Sequence, residues 1–110
     1  MKISILGTEY SIETQEEADN PKLKDADGYC DPSVKKIVIR DIEKEKADPQ
    51  SKENLEEYRK KVTRHEIIHA MFYESGLAEN SGYGNDETLV DWIAIQFLKL
   101  EKAFTDAKVL

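Results

Sequence analysis

Apolar and polar positions alternate over residues 2 to 6 and again over 9 to 14, with Gly7-Thr8 between the two runs. A period of two is that of a half-buried strand, so the chain is expected to open with a β-hairpin. Gly28-Tyr29-Cys30-Asp31 and Lys36-Ile37-Val38-Ile39-Arg40 flank Asp31-Pro32-Ser33 and predict a second hairpin. The polar stretch from Glu16 to Asp27, broken by Asn20-Pro21, predicts a loop or a poorly ordered helical turn, and the charged run from Lys44 to Pro49 a linker.

The period then changes. Leu55, Tyr58, Val62, His65, His69 and Phe72 advance by three or four residues at each step, which marks one core-facing stripe of a helix from about Ser51 to Ser75. Pro49 suits its start and Gly76 its stop. Ala78 to Gly84 has two glycines and no apolar period, and is expected to be the loop that reverses the chain. Asn85 or Asp86 then caps a second helix from Glu87 to about Ala103, with Val90, Ala94, Phe97 and Leu98 on its core face and Ile93, Leu100 and Phe104 widening it. Trp92 is placed at the core edge, with a partner contact as the alternative. The elements sum to an α+β domain over residues 1–110, a small antiparallel sheet of two hairpins beside two helices.

Composition narrows the chemistry. A formal net charge of -7 argues against a nucleic-acid partner, because phosphates would be repelled. The N-terminal apolar run is too short for a signal peptide and no stretch approaches a membrane span, so the expectation is a cytoplasmic protein without a membrane partner. A lone cysteine, Cys30, fits a reducing compartment and is expected to be a buried structural thiol.

Both histidines of the chain fall in one segment, His65-Glu66-Ile67-Ile68-His69. Four residues apart on a helix, the two imidazoles share a face and can share a metal ion, with Glu66 beside them as a proton acceptor. Imidazoles on a core-facing stripe need partners for their nitrogens, and a divalent cation satisfies both at once. A catalytic zinc site takes three protein ligands and leaves a position open. The third ligand is expected from the second helix, where Glu87 and Asp91 share an angular position with Ala94 and Leu98. Glu87 is the better candidate for its reach, against the plainer role of complementing the positive end of the helix dipole; Asp91, one turn on, suits an outer carboxylate that fixes an imidazole tautomer, and Asp91 and Asp86 are the competing ligands.

The runs His65-Glu66-Ile67-Ile68-His69-Ala70 and Glu87-Thr88-Leu89-Val90-Asp91-Trp92-Ile93-Ala94-Ile95-Gln96-Phe97 together resemble the core of ImmA/IrrE-type zinc metallopeptidases. In that family, of gluzincin type, a helix with a Glu ligand in an ExxxD-like stretch follows the HExxH helix. The resemblance spans residues 55 to 100, while the chain is short and lacks the family's extended C-terminal region. It implies a minimal zincin-like fold, a Zn2+ cofactor, a peptide or protein substrate that includes regulatory proteins, and kinship with small phage or mobile-element forms that act on repressors.

Zinc on His65, His69 and Glu87 is expected to bring the pKa of a bound water near ~7, with Glu66 as general base in peptide hydrolysis. Tyr83, between the helices, is the candidate electrophile, against the plainer role of a loop aromatic; Tyr73, rotated off the histidine stripe, is assigned to packing. Lys60, Lys61 and Arg64, preceded by Glu56 and Glu57, predict an exposed salt-bridged face. The alternative to an enzyme is a non-catalytic zinc-binding regulatory or protein-interaction module. Glu66 separates the two, since a structural zinc site needs no carboxylate next to its first histidine.

Overall fold

Strands β1 (Lys2–Ile5) and β2 (Thr8–Gln15) form the first hairpin, and β3 (Gly28–Asp31) and β4 (Lys36–Arg40) the second. The computed structural model describes residues 1–45 and 54–110. The first turn is Leu6-Gly7, one residue earlier than expected, because both residues adopt the left-handed backbone (φ 50° and 88°) that a two-residue hairpin turn demands.

Both hairpins are antiparallel, yet β2 and β4 pair in parallel, so the sheet is mixed, in the order β1-β2-β4-β3. The expected all-antiparallel sheet is corrected in this respect. A parallel pair needs a long crossover. The polar segment after β2, folded into two short 3-10 turns at Glu17–Asp19 and Pro21–Leu23, carries the chain to the far edge, where β3 runs before β4 returns between its neighbours. Two bonds from Asn20 tie this crossover to the sheet: its side-chain amide donates to the Gln15 side chain (2.8 Å) and to the Tyr29 hydroxyl (2.9 Å).

The central strand β4 buries Ile37, Val38 and Ile39 in succession, so both of its faces are covered. Ile37 and Ile39 join Ile5, Tyr10, Ile42, Leu55, Val62 and Ala70 in the core between the sheet and helix α1 (Leu55–Glu74). Each fully buried aliphatic side chain contributes about 1.5–3 kcal/mol of transfer free energy. Helix α1 begins on the Asn54 side chain, which accepts from the Glu57 N–H, and ends before Gly76, whose left-handed backbone (φ 85°) stops it as expected. Its proposed start at Pro49 lies outside the described residues, as does most of the charged linker; Lys44 itself sits in a 3-10 turn, Ile42–Glu45.

Both ends of α1 are fastened to the sheet. Glu74 accepts from Tyr10 Oη (2.7 Å), Lys35 Nζ (2.7 Å) and Thr8 Oγ1 (3.3 Å), and the bond with Lys35 holds its carboxyl below the usual range. At the other end the Tyr58 hydroxyl donates to Asp27. The middle of α1, which carries His65 to His69, is thereby held over the edge strand β3.

The segment expected to be a loop after Gly76 is a one-turn helix α2 (Leu77–Asn80) and a 3-10 turn (Gly82–Asn85). They stack so closely that a Cβ on Gly84 would stand 2.4 Å from Ala78 Cα and N. Those are backbone atoms and cannot rotate away. Gly84→Ala is expected to cost about 1–3 kcal/mol, read as a lower thermal or urea midpoint; an unchanged midpoint would mean that this turn moves freely.

Helix α3 (Glu87–Asp106) lies along α1 and buries only Val90 and Ala94. Phe97, Leu98, Leu100 and Phe104, expected in the core, are exposed, and Trp92 is 58% exposed rather than at the core edge. The reason is the direction of α1: its Leu55, Val62, Glu66 and Ala70 turn to the sheet, which leaves α3 a narrow flank to cover. No helix among the described residues is long and apolar enough to cross a membrane.

Candidate metal centre

His65 and His69 lie on the flank of α1, beside the buried line through Val62, Glu66 and Ala70. From that flank they face the first turn of α3. Asp86, the competing ligand, instead caps this helix, its Oδ1 accepting from the Thr88 N–H (2.9 Å) and the Leu89 N–H (3.2 Å). The next residue, Glu87, reaches back across the gap between the helices. Its carboxylate oxygens stand 2.7 Å from His69 Nε2 and 3.0 Å from His65 Nε2, and the two Nε2 atoms are 3.2 Å apart.

Three residues thus converge, each offering one ligand atom within 4.8 Å of the other two. A metal ion would satisfy all three residues at once; without one, an Nε2–H on either imidazole donates to the Glu87 carboxylate. Ligands 2.0–2.1 Å from a tetrahedral zinc stand roughly 3.3 Å apart, so the donor set and its spacing fit that ion. No other group of His, Cys, Asp and Glu converges in this way among the described residues. Burial holds His69 below the usual imidazole range, partly offset by Glu87, and so favours the neutral ligand form.

Asp91, one turn after Glu87, stands 3.1 Å from His65 Nδ1. An N–H at Nδ1 donating to this carboxylate leaves the Nε2 lone pair free for the cluster. Burial works against ionisation of Asp91, but hydrogen bonds from Lys61 and His65 outweigh it and hold the carboxyl below its usual range.

Glu66 is the buried charged residue of the chain's described part, 7% exposed, on the sheet side of the histidines. Desolvation by burial pushes its pKa up to about 7; the charge of His65 opposes the shift and that of Glu87 adds to it. It lines two cavities. One, of about 350 Å³, is bounded by Cys30, Tyr73 and Asn85 together with His69 and Glu87. The other, of about 220 Å³, is bounded by Asp27, Tyr58, Lys61 and Asp91 together with His65 and Glu87. The cluster stands between them, with Gly28 of β3 in the wall of both.

Tyr83 is not brought to this site. It is 71% exposed on the 3-10 turn and lines neither cavity, because that turn presents Gly84 and Asn85 inward instead. Tyr73, assigned from sequence to packing, lines the larger cavity: it follows His69 by four residues and so continues the same helix face. Cys30 is half-buried in that wall and packs against the core, and burial pushes its thiol up to about 12, so it stays protonated at neutral pH. No protein-family model, curated protein or solved structure matches the chain.

Proposed function

We propose that the protein is a zinc-dependent metallopeptidase, with His65, His69 and Glu87 as metal ligands and Glu66 as general base. The observation that carries this is the convergence of His65, His69 and Glu87 beside the buried carboxylate of Glu66. A zinc ion bound there supplies Lewis-acid polarisation of a carbonyl and a water that is nucleophilic at neutral pH. Glu66, buried beside the cluster and lining both cavities, is placed to take a proton at Oε from the attacking water and return it to the leaving amine. A purely structural metal site would have no use for Glu66 in this place.

The sheet edge supports a peptide as substrate. The Arg40 N–H donates to the Asp27 carbonyl at 2.8 Å, and the antiparallel alternation then puts Tyr29 and Asp31 in bonded pairs with Val38 and Lys36. Gly28 and Cys30 are left with their backbone N–H and C=O groups turned outward, and no strand pairs with them among the described residues. An extended chain laid along β3 would add a strand to the sheet and pass its carbonyls across the cluster. A cytoplasmic regulatory protein, the substrate class the ImmA/IrrE resemblance implies, fits this mode where it offers an extended segment.

Metal content decides the first step. Wild-type protein titrated with zinc and desalted is expected to hold about one zinc per chain by elemental analysis, and His65→Ala almost none. A wild type without metal after titration overturns the proposal. Stoichiometric zinc without cleavage of any member of a peptide library would instead favour the non-catalytic module.

A further inference from the structure

Two cations of α1 reach across to α3, on the side that the sequence alone assigns to solvent. Arg64 Nε donates to the Ala94 carbonyl at 2.7 Å. Lys61 Nζ donates to Asp91 Oδ1 at 3.2 Å, and this same oxygen faces His65 Nδ1 at 3.1 Å. Lys61 is one turn before His65 on α1, and Asp91 one turn after Glu87 on α3, so the pair forms a second tier directly above the ligand cluster. The lysine is itself confined: its side chain is 26% exposed, and its ammonium lies 5.2 Å from the centre of the Tyr58 ring, whose hydroxyl is tied to Asp27.

We propose that Lys61 is a positioning residue of the metal centre: it fixes the Asp91 carboxylate in the rotamer that accepts from His65 Nδ1, and so presents the His65 Nε2 lone pair to the metal. The assignment rests on the zinc-site reading above. The geometry requires such a tether because Asp91 is 39% exposed and has a second direction open to it, toward water. Two bonds on one oxygen, from two residues a helical turn apart, leave the carboxylate one orientation. An ordinary surface ion pair has neither the aromatic floor nor the shared acceptor atom, and holds two flexible side chains in place only weakly.

The test uses zinc affinity, measured by competition with a chromophoric chelator, and the tautomer of His65 in the metal-free protein, read from long-range 15N–1H spectra. Lys61→Met keeps the stem over Tyr58 and removes the charge. It is expected to weaken zinc binding about 10-fold, within the ~10–100-fold typical of partners that orient a ligand, and to reduce the Nδ1–H form of His65. Lys61→Arg should restore most of both. Because Lys61 acts through Asp91, the double variant Lys61→Met/Asp91→Asn should bind zinc no more weakly than Asp91→Asn alone. Additive losses, or an unchanged affinity and tautomer in Lys61→Met, overturn the assignment. Should the wild type bind no zinc, the metal reading fails by itself, and the His65 tautomer still decides whether Lys61 positions Asp91.

Discussion

Glu66→Gln is expected to bind zinc as the wild type does and to lose peptide cleavage by a factor of ~10²–10⁴, the range that positioned acid–base groups contribute. The substitution is nearly isosteric and Glu66 is not among the converging ligand atoms, so the metal should stay. The same change should stabilise the metal-free protein at neutral and higher pH. The Glu66 pKa is raised from an ordinary 4.5 to about 7 on folding, so between those values the folded state binds the extra proton. Stability therefore falls as pH rises through this window, and is least above it. Removing the ionisable group lifts the penalty, on the order of 3 kcal/mol for a shift of this size in a group so well buried. Urea unfolding of metal-free wild type and Glu66→Gln should nearly coincide at pH 4 and separate at pH 8. Full peptidase activity in Glu66→Gln would remove the proposed mechanism, whereas coincident unfolding at both pH values would show that burial does not shift this carboxyl.

The burial of Glu66 on the sheet side of the histidines was only half legible in the sequence. The five-residue segment shows the helix spacing of the histidines, which is a property of one element. It does not show which flank of the helix meets the sheet. The periodic stripe through Leu55, Val62 and His65 suggests histidines on the core side, yet the buried line runs through Val62, Glu66 and Ala70, a rotation of roughly a quarter turn set by the fastening of Tyr58 and Glu74 to the sheet. The second hairpin was legible to the residue, since its turn chemistry and β-branched run are local. The parallel junction of β2 with β4 was not, because it depends on where a polar crossover comes to rest.

The same division holds across the site. Glu87 could be found because a capped helix start fixes which side chains its first turn presents. Tyr73 and Tyr83 exchanged places because the turn between the helices is ordered by a backbone contact at Gly84, a feature with no periodicity to read. Lys61 was hidden for a related reason: within α1 it has the composition of a solvated face, and its partner Asp91 belongs to another helix.

Among the acidic residues of the second helix, zinc affinity should separate ligand, orienter and cap. Glu87→Ala removes one of the converging atoms and is expected to weaken binding on the order of 10³-fold, beyond the ~10–100-fold expected for Asp91→Ala, whose carboxylate meets the cluster only through the far nitrogen of His65. Asp86→Ala should leave affinity nearly unchanged and lower stability by about 1 kcal/mol, because its oxygen is engaged with two backbone N–H groups of its own helix. Competition titrations on the purified variants, paired with thermal unfolding, measure both quantities. If Asp91→Ala proved the more damaging to affinity, Asp91 would become the third ligand and Glu87 a helix-dipole residue. That outcome would require α3 to turn or slide along α1 by about one helical turn, and the Arg64 bond to the Ala94 carbonyl stands against such a shift. The ranking therefore tests the packing of the two helices as well as the identity of the ligand.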